Sequence, residues 1–264
     1  MKRKKQKVLD NHQRCWVWGR RAVTEILLAG HWPVLELHLA ETLSTEEKAD
    51  AHELAKRQAT LVHVEPAERL RQLCKAADHQ GHLAKMAPFP YADASELIER
   101  FFPTGAASKT QPSPLFVILD AIQDSFNFGA IARSAEALSV DALIIGERRQ
   151  AAVNSMVART SAGAINRLPI ARVPALPELA QVLLERGAKL VGASEKAATS
   201  IADFNFRQPA AIIFGNESDG ISPQLSELCH ELIGVPQQGA IGSLNVAAAA
   251  AIALYEAGRQ RQLK

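Results

Sequence analysis

Short, almost wholly apolar runs recur through the second half of the chain, at 115–119, 142–145, 189–193, 211–214 and 232–235. Stretches with helical spacing separate them. Strands that are apolar on both faces and alternate with helices belong to a parallel sheet covered on each side, which predicts an α/β fold. The first half is patterned differently. Val23, Ile26 and Leu27 fall at helical spacing within 19–29, 34–39 alternates as a half-buried strand, 45–58 reads as a charged helix, and 61–64 as a short strand. Pro66 then opens a helix running to Leu73, since proline is tolerated in a first turn. These elements predict a small α/β domain of their own.

Between the halves lies Pro103-Thr-Gly-Ala-Ala-Ser-Lys-Thr-Gln-Pro-Ser-Pro114, small, polar and rich in proline. Such a segment breaks both helix and ladder and has nothing with which to build a core. The expected organisation is therefore a tail at 1–13, a first domain over about 14–88, a linker at 89–113 and a second domain at 114–264. No internal repeat is visible.

The 264 residues suffice for two ordinary domains, and a hydrophobic fraction of 47% suits globular cores. A net charge of +2 is too small to imply nucleic acid by itself. Its distribution is more informative, because Lys2, Arg3, Lys4, Lys5 and Lys7 precede any acid. Such a block is either a solvated tail or an arm for phosphates. No apolar stretch follows it, as one would in a secretory leader, and no apolar run is long enough to span a bilayer. Cys15, Cys74 and Cys229 are odd in number and lack CxxC spacing, so neither a disulfide framework nor a zinc site is expected. His79-Gln-Gly-His82 offers two ligands without a cysteine or acid pair nearby, and no metal is expected there. The cytoplasm is the expected compartment.

Three loop-to-helix segments carry the candidate chemistry. The first, Asp120-Ala-Ile-Gln-Asp-Ser-Phe-Asn-Phe-Gly-Ala-Ile-Ala-Arg-Ser-Ala-Glu-Ala-Leu138, puts Asn127 in a turn and Arg133 near the first turn of a helix expected at 130–138. Taken alone, Arg133 reads as a surface ion pair with Glu136 three residues on. The second, Ile213-Phe-Gly-Asn-Glu-Ser-Asp-Gly-Ile-Ser-Pro223, combines a tight turn at Gly215, a loop carboxylate at Glu217 and a cap at Ser222 for a helix at 223–229. The third is Gly239-Ala-Ile-Gly-Ser-Leu-Asn-Val246, running into alanines 247–251. Ser243 and Asn245 stand where helix caps are expected anyway.

In this order, each after an apolar strand, the three segments resemble the motifs of the SpoU/TrmH branch of the SPOUT RNA methyltransferases. The segment Ala158-Arg-Thr-Ser-Ala-Gly-Ala-Ile165, before a strand at 168–171, extends the resemblance over nearly all of 115–260. It implies a parallel-sheet domain closed by a trefoil knot, and transfer of a methyl group from S-adenosyl-L-methionine to a ribose 2′-hydroxyl of rRNA or tRNA. It also implies a homodimer formed through the C-terminal domain. Arg133 takes the key catalytic role by this likeness, with Asn127, Glu217, Ser243 and Asn245 as further site residues. Glu217 would orient donors that include Arg133. Backbone around Gly215, Val235 and Leu244 would hold the cofactor. Because a guanidinium stays protonated near neutral pH, Arg133 is better suited to orienting a phosphate and polarising the hydroxyl than to removing a proton.

Trp18-Gly-Arg-Arg-Ala-Val-Thr-Glu-Ile-Leu27 and His79-Gln-Gly-His-Leu-Ala84 resemble the auxiliary substrate-binding domain of some TrmH-family enzymes, which is similar to a small ribosomal protein. RNA binding is implied, with Arg20 and Arg21 as phosphate contacts; simple solvated arginines at a helix start are the alternative. Departures from the motifs are Ser125 for the usual proline, Ala247 for a common serine, and the unusually polar Asn216-Glu217-Ser218-Asp219. A knot-fold RNA-binding protein without turnover is the competing reading, disfavoured by the joint presence of all five site residues. A Rossmann or P-loop enzyme is excluded by the lack of GxGxxG and GxxxxGK[ST].

Overall fold

The apolar runs of the second half pair side by side into a seven-stranded parallel sheet. The computed structural model describes residues 16–103, 113–239 and 242–262. The basic tail, Cys15, residues 104–112 of the expected linker and Ala240 and Ile241 of the third motif lie outside the described residues. The chain divides into two compact units, Met1–Pro90 with Val153–Arg167, and Tyr91–Ala152 with Leu168–Lys264.

The first unit contains β1 (Trp16–Trp18), α1 (Arg20–Ala29), β2 (Val34–Ala40), α2 (Thr45–Arg57), β3 (Leu61–Glu65), α3 (Ala67–Cys74) and β4 (His82–Met86). Its strands lie in the order β1-β4-β2-β3, with β2 and β3 parallel and the other pairs antiparallel. Ser44 and Glu47 form a reciprocal capping box that starts α2. Pro66 is the cap of α3 rather than its first residue. The imidazole Nδ1 of His79 accepts the Gly81 N–H at 3.0 Å, so this histidine fastens the turn into β4.

The same unit takes in 153–167, which were expected in the second domain. Here α4 (Ser155–Thr160) and a single 3-10 turn (Ala164–Asn166) are tied by ion pairs. Arg159 pairs with Asp78 and lies 5.1 Å from the Trp18 ring centroid, and Arg167 reaches Glu25 at 3.0 Å.

The second unit begins earlier than expected. Inside the predicted linker, α5 (Ala94–Phe101) is capped by Asp93, whose carboxylate accepts the N–H groups of Ser95 and Glu96 at 2.7 and 3.1 Å. Its Leu97 and Ile98, with Phe102, are buried in the second unit's core. The cap and the apolar face outweigh the flanking prolines. Then follow β5 (Leu115–Leu119), α6 (Ser125–Ala137), β6 (Ala142–Gly146), β7 (Ile170–Val173), α7 (Leu176–Glu185), β8 (Lys189–Ala193), β9 (Thr199–Ser200), β10 (Ala210–Phe214), α8 (Pro223–Leu228), β11 (Glu231–Gly234) and α9 (Val246–Gln262). The strand expected at 168–171 thus begins two residues later.

The sheet order is β7-β6-β5-β10-β8-β11-β9. Strand β10 is flanked in full register by β5 and β8. The connection leaving β5 runs to β6 on one side and that leaving β10 runs over β8 to β11 on the other, so a topological switch lies between β5 and β10. Crevices open at the carboxyl ends of strands beside such switches. Phe116, Ile118, Ile144, Leu190 and Ile213 fill one face of this sheet. Each such fully buried side chain stabilises the fold by about 1.5–3 kcal/mol of transfer free energy. No helix among the described residues is long and apolar enough to cross a membrane.

Candidate active site

Loops leaving the carboxyl ends of β8, β10 and β11 surround a cleft of about 520 Å³, closed on a further side by the residues entering α9. Gly215, Val235 and Leu244 line it, as do Glu217, Ser243 and Asn245. The turn after β10 needs glycine at 215, because a Cβ there would stand 2.2 Å from the Gly220 carbonyl carbon and 2.3 Å from the Ile221 nitrogen. Asn216 shapes the same turn, donating to the Ala121 carbonyl at 2.8 Å and accepting the Ser218 N–H at 2.9 Å. Arg149 pairs with Asp219 at 2.6 Å. Ser222 occupies the cap position of α8 without a side-chain capping bond. Its backbone N–H instead donates to Asp120 at 2.6 Å, clamping the end of the loop to the exit of β5.

Three site residues far apart in sequence form one hydrogen-bonded chain. The Asn127 amide donates to Glu217 Oε1 at 2.7 Å, and its carbonyl accepts from Asn245 Nδ2 at 3.0 Å. The Asn245 carbonyl oxygen accepts the Ala247 N–H at 3.0 Å, capping α9. Cap and site roles therefore coexist in one side chain. Asn216 approaches the other Glu217 oxygen at 3.4 Å. Glu217 thus holds Asn127 and Asn216, not Arg133 as expected.

Arg133 is placed differently from the expectation. Asp124 accepts the Phe126 N–H at 2.8 Å, so α6 starts at Ser125 rather than at 130. Asn127 consequently lies in the helix's first turn, and Arg133, six residues on, sits about 9 Å further along the axis. Arg133 is exposed and is not among the cleft-lining residues. Among the described residues it has no ion-pair partner, and the pair with Glu136 does not form. Arg20 is engaged with Glu47 at 3.1 Å, whereas Arg21 is exposed and unpaired among the described residues. Sequence reasoning missed Ser194, Glu195 and Lys196, which line the cleft just beyond β8. Their position after the carboxyl end of an apolar strand was the available signal.

A parallel sheet whose loops build a cleft of this size at its carboxyl ends defines an α/β protein with a small-molecule site, with a second, mixed-sheet unit in the same chain. Family models make this specific: residues 114–255 match the SpoU rRNA methylase family, and 16–92 match RNA 2′-O ribose methyltransferase substrate binding. The chain belongs to the SpoU/TrmH family of RNA methyltransferases. It is 32% identical over 251 residues to the YacO protein of Bacillus subtilis, named for the TrmH family of tRNA/rRNA methyltransferases, covering 95% of this chain and 98% of that one. A TrmH-family relative from Staphylococcus haemolyticus is 34% identical over 243 residues, covering 92% and 94% of the two chains. In structure the chain is similar to the SpoU methyltransferase AviRb of Streptomyces viridochromogenes, crystallised with AdoMet (TM-score 0.76, 28% identity, covering 97% and 94%).

Proposed function

We propose that the protein transfers a methyl group from S-adenosyl-L-methionine to a ribose 2′-hydroxyl of rRNA or tRNA, as a homodimer formed through the second unit. The carrying observation is the Asn127–Glu217–Asn245 chain beside the cleft. It joins one residue from each of the three strand-end segments, which a binding surface alone does not require. The cleft suits the cofactor in size, since small-molecule sites run to roughly 300–1,000 Å³. Gly215 lets the backbone of Gly220 and Ile221 fold closely against it, which gives this wall of the cleft its tight turn. Gly215, Val235 and Leu244 would hold the cofactor by backbone groups, and when bound it supplies an electrophilic methyl group. Threading of the third segment as a trefoil knot belongs to the same reading.

The protein's own residues then have three tasks. Asn127 and Asn245 fix the Glu217 carboxylate at the cleft. Arg133 does not line the cleft of its own chain and has no ion-pair partner among the described residues, so its proposed task, binding an RNA phosphate and stabilising negative charge developing on the 2′-oxygen, falls at the cleft of the second copy in the dimer. Water or that phosphate would take the proton of the 2′-hydroxyl, while loss of the methyl group from its sulfur would leave the cofactor as a neutral thioether. Phe126, Leu244, Ile252 and Tyr255 are exposed large apolar groups at the start of α6 and along or just before α9, and they support pairing of two copies through this surface.

Incubation of the full chain with tritium-labelled cofactor and with separate rRNA and tRNA fractions, followed by nucleoside mapping, tests the reading. Label in a 2′-O-methylnucleoside is expected. Label only in base-methylated nucleosides, or none in either fraction, would overturn it.

A further inference from the structure

The first unit carries a polar cluster that the methyl-transfer reading does not use. Strands β2 and β3 pair in parallel with His38 opposite His63, Glu36 opposite Leu61 and Ala40 opposite Glu65. Because alternate residues of a strand share a face, Glu36, His38, His63 and Glu65 all project from the same side of the sheet. Helix α3 covers the neighbouring part of that face, packing Leu70 and Cys74 on Trp18, Ala40 and Leu83. The histidines lie beside that apolar patch, His38 buried and His63 half-buried.

We propose that Glu36, His38 and His63 form a binding site for a zinc-class divalent cation, with Glu65 as the residue that positions His38. One donor atom from each of the three lies within 4.8 Å of the others. His38 Nε2 and Glu36 Oε2 are 3.2 Å apart. Two ligands each about 2.0–2.2 Å from a tetrahedral zinc stand roughly 3.4 Å apart, so this pair is already spaced to share one ion. The other ring nitrogen, Nδ1, is 2.8 Å from Glu65 Oε2. A carboxylate on the far nitrogen fixes the tautomer and aims the ligating nitrogen, the usual support of a metal-bound imidazole. The His63 ring stacks on that of His38 at 4.8 Å and 22°, which keeps one of its nitrogens within 4.8 Å of the other two donor atoms.

The charges agree. Lys85 Nζ binds the second Glu36 oxygen at 2.5 Å, leaving Oε2 directed at His38. Two carboxylates against one ammonium leave the cluster net negative when both imidazoles are neutral. Mixed imidazole and carboxylate donors select zinc, cobalt or nickel over magnesium or calcium. The ion would pin the edge strand β3 to β2.

The test uses the untagged full chain, stripped with a chelator and titrated with zinc by calorimetry and with cobalt(II) by visible absorption. One equivalent of zinc, ligand-field bands from cobalt, and a raised thermal midpoint are expected. His63→Ala, at a half-buried position, should weaken zinc binding by at least about 100-fold while the metal-free midpoint stays put. Glu65→Gln should weaken it by roughly 10-fold, as loss of a supporting carboxylate does. No zinc heat at about 100 μM protein, or zinc affinity unchanged in His63→Ala, would overturn the site.

Discussion

The two sheets place their polar chemistry in opposite ways. In the second unit β5, β6 and β10 are buried at every position, so no polar side chain can sit on these strands and the functional groups gather in the loops at their carboxyl ends. In the first unit β3 is exposed or half-buried throughout, and β2 carries Glu36 and His38 within the strand itself. A doubly covered sheet makes a stiff platform that holds a backbone-built cleft. A partly solvated sheet offers side chains in a row, suited to contact rather than to turnover. The expected division of labour is chemistry in the second unit and RNA affinity in the first.

The largest effect that would sharpen this division is on turnover. Arg133→Ala should lower kcat about 100- to 1,000-fold, the usual cost of removing a positioned charged donor, while cofactor affinity stays within about twofold. Arg133→Lys should recover little, because an ammonium lacks the planar fork that engages phosphate and hydroxyl together. Single-turnover kinetics with saturating RNA measure it. A fall smaller than roughly tenfold would remove Arg133 from the chemistry.

The same contrast decides what was legible in the sequence. Leu115–Leu119 and Lys189–Ala193 emerge with the expected bounds, because wholly apolar five-residue runs have few alternatives to a buried strand. The helix after β5 starts five residues before its expected first residue. Phe-Asn-Phe-Gly looks like a turn until Asp124 is recognised as its cap, and that error carried Asn127 and Arg133 to the wrong turns of the helix. Strands β1 and β4 were missed, the first for having three residues and the second because His-Leu-Ala-Lys-Met has no clear period. Helix α5 was hidden among prolines. The hydrogen-bonded Asn127–Glu217–Asn245 chain was reachable only through family likeness, since its members are 90 and 118 residues apart. Nothing local announces that His38 and His63 are neighbours, because only the parallel register makes them so.

An intermediate effect tests whether the cleft is built by backbone. Gly215→Ala places a methyl group 2.2 Å from backbone of Gly220, which cannot yield as a flexible side chain would. Overpacking of this kind costs about 1–3 kcal/mol. For a chain of this size that lowers the thermal midpoint by several degrees, at roughly 2–4 °C per kcal/mol. Cofactor affinity measured by calorimetry should fall at least about tenfold. Unchanged affinity in a folded variant would mean that the turn after β10 is not a cofactor contact, and the contrast between the units would lose its structural basis.

The smallest effect concerns the first unit's share of RNA affinity, where the two neighbouring arginines at the start of α1 make an internal control. Arg20 is held by Glu47 at 3.1 Å, whereas Arg21 is exposed and unpaired among the described residues. Only Arg21 is therefore free to take a phosphate without first giving up a partner. Each phosphate neutralised adds about −0.9 to the slope of log affinity against log salt, so Arg21→Ala should make that slope shallower by about 1. The gap between wild type and variant should then shrink by about 3.5-fold from about 50 to about 200 mM salt. Arg20→Ala should change the slope less, since a standing ion pair has already spent part of its charge. Neither substitution should alter kcat at saturating RNA, because neither side chain lies in the unit that carries the cleft. Fluorescence anisotropy across a salt series measures the slopes. Equal slopes for wild type and Arg21→Ala would take this residue out of the RNA contact, and a matching fall in kcat would erase the separation of affinity from chemistry.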